Sequence, residues 1–247
     1  MMIKNFLKNI APPILIKLIR KKTKYGFFGN YKTWQEAKAD SIGYSNPDIL
    51  EKVKNSLLKV KRGEAACERD SVLFDKVEYS WPILSGLLWI ASLGNNRLNV
   101  LDFGGSLGSS YFQNLGFLKH LAELRWNIVE QNNFVECGKK YFEDSRLKFY
   151  LSNEECLNDS KPNIFFSSSV IQYLEKPYEF LEKISKLGFE YLIFDRTAFL
   201  KNKDRLTVQK ARPEIYDASY PAWFLNEEKF LEIIKKNYEL ICEFDSM

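Results

Sequence analysis

Leu98 to Gly108 reads LNVLDFGGSLG, and this stretch decides the fold. Asn99 to Phe103 is an apolar strand that runs into a glycine turn, Gly104-Gly105-Ser106-Leu107-Gly108. Ser109 and Ser110 come next and are candidate caps, because a hydroxyl satisfies free N–H groups in a first helical turn. A second apolar strand, Trp126 to Val129, ends on Glu130 and Gln131. The pattern is a β-α-β unit with a carboxylate at the tip of its second strand. Glycines let backbone N–H groups come close to a ligand. The helix start adds partial positive charge. A carboxylate at that tip can accept both hydroxyl hydrogens of a ribose. Such a unit is expected to hold an adenosine-containing cofactor.

Three motifs compete for these residues. An NAD fingerprint needs G-x-G-x-x-G. Counted from Gly104, its second and third glycines would fall on Ser106 and Ser109, a poor match. The hydrolase elbow G-x-S-x-G fits Gly104-Gly105-Ser106-Leu107-Gly108 literally. It also needs a later acid and then a later histidine. The only histidine, His120, lies along the helix that follows the turn and cannot fold back onto Ser106. The third motif is D-x-G-x-G-x-G, which opens class I methyltransferases that use S-adenosylmethionine (SAM). Asp102, Gly104 and Gly108 match it, and Ser106 stands for the middle glycine. A plain β-α-β core that binds nothing is the bland alternative.

At 247 residues the chain can hold one sizeable α/β domain with a helical appendage. Its 45% hydrophobic and 28% charged residues are ordinary for a globular protein. Aromatics reach 15%, which suits a surface that handles rings. Cys67, Cys137, Cys156 and Cys242 show no C-x-x-C pairing, and with a lone histidine they form no zinc set. They read as reduced thiols of a cytoplasmic protein. Residues 1–24 carry Lys4, Lys8, Lys17, Arg20, Lys21, Lys22 and Lys24 without an acid, which leaves a slightly acidic body. That balance does not resemble a nucleic-acid-binding domain. The apolar runs in this lead are too short to span a bilayer. No small-residue cleavage site follows them, which argues against a signal peptide. The lead reads either as a peripheral contact with anionic lipid or as a terminal helix with its lysines in water.

The chain divides at about residue 95. Before it, helices are expected at Trp34–Ala39, from Asn46-Pro47 onward, and over Ser71–Leu93 with a bend at Pro82. These make an N-terminal helical cap over residues 1–95. After it, short apolar strands alternate with helices: a helix near Phe134–Phe142, strands at Leu147–Leu151 and Asn163–Phe166, a helix from Pro177, and a strand at Phe189–Phe194. Alternation of this kind means an α/β fold with a doubly wound, mostly parallel sheet over residues 96–247. Ligands of such sheets sit at the carboxyl ends of the strands. Residues 197–225 read as a long aromatic loop, with Tyr216, Tyr220, Trp223 and Phe224, able to act as a lid. Asn226 caps a last helix, and Tyr238–Phe244 reads as a sixth strand.

With the segments placed, the chain resembles a bacterial family of SAM-dependent methyltransferases found among surface-polysaccharide biosynthesis functions. The matching pieces are Gly29–Trp34, Arg69–Ser71, Val100–Gly108, Trp126–Gln131, Ser168–Leu174, Asp195–Thr197, Gln209 and Ser219–Pro221. They run over about 220 residues. The resemblance implies a class I, Rossmann-like fold. The seventh, antiparallel strand of that fold has no counterpart before Met247, so either the form is shortened or the sheet keeps an open edge.

The implied cofactor is S-adenosyl-L-methionine, bound by Asp102, Gly104, Gly105, Ser106, Gly108, Glu130, Gln131 and Ser168. No metal is implied. On the acceptor side stand Asp195, Arg196, Gln209 and Tyr220. Asp195 is the candidate base, or a carboxylate that merely pairs with Arg196. Arg196 can hold an anionic acceptor by a two-pronged contact. Gln209, Tyr216 and Tyr220 would orient the acceptor, or pack the loop. The expected reaction is O-methylation of a small-molecule or glycan acceptor, sugar-linked and anionic. Two other functions stay open: a catalytically silent scaffold of the same fold, and an NAD-dependent enzyme acting on nucleotide sugars.

Overall fold

The computed structural model describes residues 24–43, 47–212 and 217–245. Residues 1–23 of the basic lead and Tyr216 lie outside the described residues. In chain order the strands are β1 (Gly26–Tyr31), β2 (Cys67–Arg69), β3 (Val72–Phe74), β4 (Arg97–Phe103), β5 (Glu123–Val129), β6 (Leu147–Tyr150), β7 (Ile164–Ser168), β8 (Tyr191–Asp195), β9 (Phe199–Leu200), β10 (Arg205–Lys210) and β11 (Ser219–Asn226). The helices are α1 (Trp34–Ala39), α2 (Pro47–Lys61), α3 (Trp81–Leu93), α4 (Ser109–Leu118), α5 (Asn132–Tyr141), α6 (Asn153–Asp159), α7 (Pro177–Ile184) and α8 (Glu227–Ile234).

Five parallel strands form the main sheet in the order β6-β5-β4-β7-β8. This is the order of the first five strands of a doubly wound nucleotide-binding fold. Residues alternate between the faces of β4, so Val100 and Leu101 enter different cores. On one face Val100, Trp126, Ile128, Phe149 and Phe166 pack with α2, α3, α4 and α5 through Leu57, Leu87, Tyr111 and Phe134. On the other, Leu101, Val129 and Phe165 pack with Cys156 of α6 and Ile184 of α7. Both faces are covered, as a parallel sheet requires.

A second sheet, β1-β10-β11-β9, stands beside the first. It draws β1 from before residue 96 and its other strands from after residue 196. Gln209 lies opposite Phe27 on one side and Tyr220 on the other. This corrects the expected loop at 197–225. Leu206, Thr207 and Val208 are all buried, and a ladder to β11 satisfies their backbone. Phe199, Tyr220, Trp223 and Phe224 are sheet residues, with Trp223 stacked on Trp34 of α1 at 6.4 Å.

Three further expectations change. The helix expected over Ser71–Leu93 is instead strand β3 followed by α3. Asp70 and Ser71 have φ of 51° and 65°, the left-handed pair of a two-residue hairpin turn, and they join β2 to β3. Pro82 starts α3 rather than bending a longer helix, because a first turn does not need its N–H. Tyr238–Phe244 is no strand: it finds no ladder partner, and Tyr238 instead donates its hydroxyl hydrogen to the Phe189 carbonyl at 2.9 Å. Among the described residues the parallel sheet therefore has five strands, and β8 pairs only with β7.

Candidate functional site

The order of the parallel sheet reverses between β4 and β7, and a ligand of such a sheet lies in the crevice outside those carboxyl ends. The glycine turn sits there. Gly104, Ser106 and Gly108 have φ of 71°, 55° and 109°, so the turn runs through three left-handed residues. Gly104 donates its N–H to the Val129 carbonyl at 2.9 Å, which ties the turn to β5. A Cβ on Gly104 would come within 2.5 Å of Val170. The neighbouring strand ends turn in the same way, at Ser169 (φ 60°) after β7 and Arg196 (φ 48°) after β8.

Glu130 folds back over the turn. Its carboxylate accepts from Ser106 N at 3.3 Å and from Gln131 N at 2.7 Å. Burial pushes its carboxyl above the usual range, against those two donors. An ionised carboxylate has about four acceptor sites, so it can still take ribose hydroxyls. Helix α4 begins with Gly108 as its N-cap and no side-chain cap. Ser109, expected as a cap, instead donates its hydroxyl hydrogen to Glu68. The first N–H groups of α4 are thus open to a ligand carboxylate. A strand-tip carboxylate, an uncapped helix start and a left-handed turn fit an adenosyl amino acid.

Asp102 is placed differently from the surface-lining residues. It is 1% exposed and lies under the turn, where a Cβ on Gly105 would be 2.5 Å from its carboxyl. Trp126 Nε1–H donates to it at 2.8 Å. It supports the turn from below. Burial raises its pKa from 3.8 to about 7, opposed by the Trp126 hydrogen bond. The folded chain therefore keeps a proton that the unfolded chain has lost. That contribution to stability is full below pH 4 and is lost as the pH rises toward 7. Asp102→Asn should gain on the wild type across this window, by on the order of 3 kcal/mol. Unfolding midpoints at pH 4 and pH 7.5 test this, and a constant difference between the two proteins would rule out the buried proton.

On the β7–β8 side the expected acceptor residues come together. Ser168 Oγ–H donates to Asp195 Oδ2 at 2.5 Å. Arg196 donates through Nε and Nη2 to the same Ser168 oxygen at 3.1 and 3.0 Å. Its Nε lies 3.4 Å from Asp195 Oδ2. Asp195 is buried, and the Arg196 side chain is partly exposed. Tyr173 donates to Gln209 Oε1 at 2.7 Å, and its ring meets the ring of Tyr220 edge-on at 5.1 Å. These contacts bring β10 and β11 against the Ile171–Tyr173 turn that follows β7. Burial raises the Tyr173 pKa, so at neutral pH it is a hydroxyl donor.

Local sequence pattern assigns no role to Glu68, Tyr173 or Gln172. Glu68 on β2 is 7% exposed and accepts from Ser109 Oγ and from Ser71 N, the latter at 2.9 Å. Gln172 is 4% exposed and donates to Ser169 Oγ and the Arg196 carbonyl. The available signal was the acid-rich turn Glu68-Arg69-Asp70-Ser71 between two short apolar runs. Surface hollows beside Lys235–Leu240 and between Arg125 and Ser160 contain none of the expected site residues. Among the described residues no three His, Cys, Asp or Glu side chains group as a metal site. No helix among them is long and apolar enough to cross a membrane.

No family model matches this chain, and no curated protein does either. Solved structures similar to it include the N-terminal domain of EvdMO1 in the presence of SAH and D-fucose. That likeness has 10% identity over 76% of this chain and 85% of that one, with a TM-score of 0.41. Human N-acetylserotonin methyltransferase in complex with SAM is 9% identical over 67% of this chain and 49% of that one, with a TM-score of 0.40. A S-adenosylmethionine-dependent methyltransferase from Clostridium acetobutylicum is 11% identical over 65% and 81%, with a TM-score of 0.40.

Proposed function

We propose that this protein is a SAM-dependent methyltransferase whose cofactor lies over the Gly104–Gly108 turn. The observation that carries this reading is Glu130, a strand-tip carboxylate bonded back onto the left-handed turn at the switch point of the sheet. When bound, SAM supplies an electrophilic methyl group on a positive sulfur. Glu130 would hold the ribose, and the open N-terminus of α4 would hold the amino-acid carboxylate. Enzymes of this kind gain mostly from positioning. Asp195 would take the acceptor proton, with Ser168 and Arg196 fixing its orientation. Arg196 would meet an acceptor anion. Gln209, Tyr173 and Tyr220 would orient the acceptor through hydrogen bonds and ring contact.

The acceptor we infer is a hydroxyl-bearing, anionic, sugar-linked molecule of surface-polysaccharide synthesis. Tyrosine rings, an amide and an arginine side by side support a polar, ringed acceptor, and the family resemblance supports its class. A cytoplasmic protein whose residues 1–24 meet an anionic membrane face would suit a lipid-linked acceptor.

Calorimetric titration with SAM, S-adenosylhomocysteine (SAH) and NAD tests the reading. SAM and SAH should bind and NAD should not. Glu130→Ala should weaken SAM by roughly 1–3 kcal/mol, the range for a hydrogen bond to a charged group. Wild-type binding of NAD alone would replace the proposal with a dehydrogenase, and binding of none of the three would leave a scaffold. Unchanged affinity in Glu130→Ala would take that residue out of the site.

A further inference from the structure

The segment after β7 joins three parts of the crevice. Val170 packs against the glycine turn, since its methyls are what a Cβ on Gly104 would meet. Tyr173 reaches the second sheet through Gln209 and Tyr220. Between them, Gln172 turns toward the end of β8. Its Nε2 donates to the Arg196 carbonyl at 3.1 Å and to Ser169 Oγ at 3.3 Å. The ladder between β7 and β8 ends at Ser168 and Asp195, and Ser169 and Arg196 are the next residue on each side. One amide group therefore clasps both strand ends, one residue beyond their last pair.

Three costs meet at this point. Ser169 and Arg196 are both left-handed, with φ of 60° and 48°, a region that side chains disfavour. Gln172 is 4% exposed, and its Oε1 has no hydrogen-bond partner among the described residues. The amide cannot turn over to relieve this. The Arg196 carbonyl only accepts, so the nitrogen must face it and the oxygen must face away. A buried acceptor without a donor opposes folding. An apolar side chain of the same length would fill the space without that cost. Strain of this kind persists where the surrounding structure over-determines it, and it gathers at working sites. Here it gathers around Asp195 and Arg196.

The clasp acts on both residues. Ser169 N–H donates to the Asp195 carbonyl at 2.9 Å, and the Ser168 hydroxyl donates to the Asp195 carboxylate. Arg196 turns back over the strand end, and its Nε and Nη2 reach the Ser168 oxygen. That return goes with the left-handed backbone. A φ in the ordinary negative range would rotate Cβ about the N–Cα bond, away from its present line toward Ser168. We propose that Gln172 is a positioning residue of the methyl-transfer site: it holds the Arg196 carbonyl and Ser169 together, keeps Arg196 left-handed, and so sets the guanidinium fork and the Asp195 carboxylate before an acceptor arrives. Gln172 touches neither cofactor nor acceptor in this role. It acts through Arg196.

The inference rests on the methyltransferase reading, and the measurements separate the two. Gln172→Met keeps the length and removes both hydrogen bonds. In hydrogen exchange of the full chain followed by nuclear magnetic resonance, the Ser169 N–H should exchange about tenfold faster in the variant. The Trp126 N–H, which donates to the Arg146 carbonyl in the same sheet, should keep its wild-type rate, and the thermal midpoint and SAM affinity should hold. With SAM and whichever nucleotide sugar or lipid-linked glycan takes up the methyl group, the acceptor KM should rise about tenfold while kcat falls less. Unchanged exchange at Ser169 overturns the proposal, and so does unchanged turnover with a loosened clasp. Faster exchange at Ser169 and Trp126 together, with a lower midpoint, marks Gln172 as a support of the fold alone, and the proposal falls. Should Gln172→Met fold poorly by circular dichroism, the wild type decides: a Ser169 N–H as slow as that of Trp126 shows a locked clasp, and one that exchanges like an exposed loop overturns the assignment. A wild type that binds no SAM overturns the methyltransferase reading itself, which the exchange rates alone would not do.

Discussion

Gly104→Val is expected to abolish SAM binding and to lower the unfolding midpoint in the same protein. Gly104 has φ of 71°, a region that a β-branched residue enters only under strain. A left-handed backbone costs an L-residue roughly 1–2 kcal/mol. The new Cβ would also lie 2.5 and 2.8 Å from the two Val170 methyls, so either the turn or the start of the segment after β7 must move. Overpacking of this kind costs typically 1–3 kcal/mol more. Both walls of the crevice shift together, because Gly104 belongs to the β4 wall and Val170 to the β7 wall. Gly86→Ala is the control. Gly86 lies in α3 with open space around its Cβ, and alanine is the better helix former, so binding should be retained and stability held or raised. Calorimetry and thermal unfolding read both effects. A Gly104→Val protein that binds SAM normally would show that the cofactor does not sit at this turn.

What could be read from sequence followed the reach of each signal. The strand Arg97–Phe103, the turn and the strand ending at Val129 were legible because local pattern fixes them: a short apolar run, glycines at left-handed positions, then a second apolar run. Thr33 and Asn226 were legible as caps, and their side chains accept from Glu36 N and Lys229 N at 3.2 and 3.1 Å. The second sheet was not legible, although Arg205–Lys210 carries a strand-like run. Its partner β1 lies about 180 residues earlier, and no local feature announces such a pairing. The aromatic content of 197–225 also drew attention to a lid, when Trp223 fills a small core with Ala37, Leu206 and Val208, and Phe199 packs in another with Phe230. The site followed the same rule. Gly104, Glu130, Ser168 and Asp195 were legible as strand ends because short apolar runs lead into them. Glu68 and Tyr173 meet Ser109 and Gln209 through a hairpin and a one-turn helix, and only the fold brings those close.

Asp195→Asn is expected to cut methyl transfer by about 10²–10⁴ while SAM affinity stays near wild type. The substitution keeps an oxygen for the Ser168 hydroxyl, which now donates at 2.5 Å, so the strand end should hold its shape. It removes the negative charge beside Arg196 Nε and the capacity to accept a proton. A base should therefore show as a loss in kcat with SAM binding retained. Arg196 has a separate role to test. Its guanidinium is fixed by two bonds to one Ser168 oxygen, and its backbone is left-handed, so the planar fork is held in place before an acceptor arrives. Lysine keeps the charge and loses the fork, so Arg196→Lys should raise the acceptor KM more than it lowers kcat. The acceptor itself can be found by screening nucleotide sugars and lipid-linked glycans for methyl uptake from labelled SAM. If both variants then turn over that acceptor as wild type does, Ser168, Asp195 and Arg196 are a structural clasp between β7 and β8, and the proton is taken elsewhere on the rim.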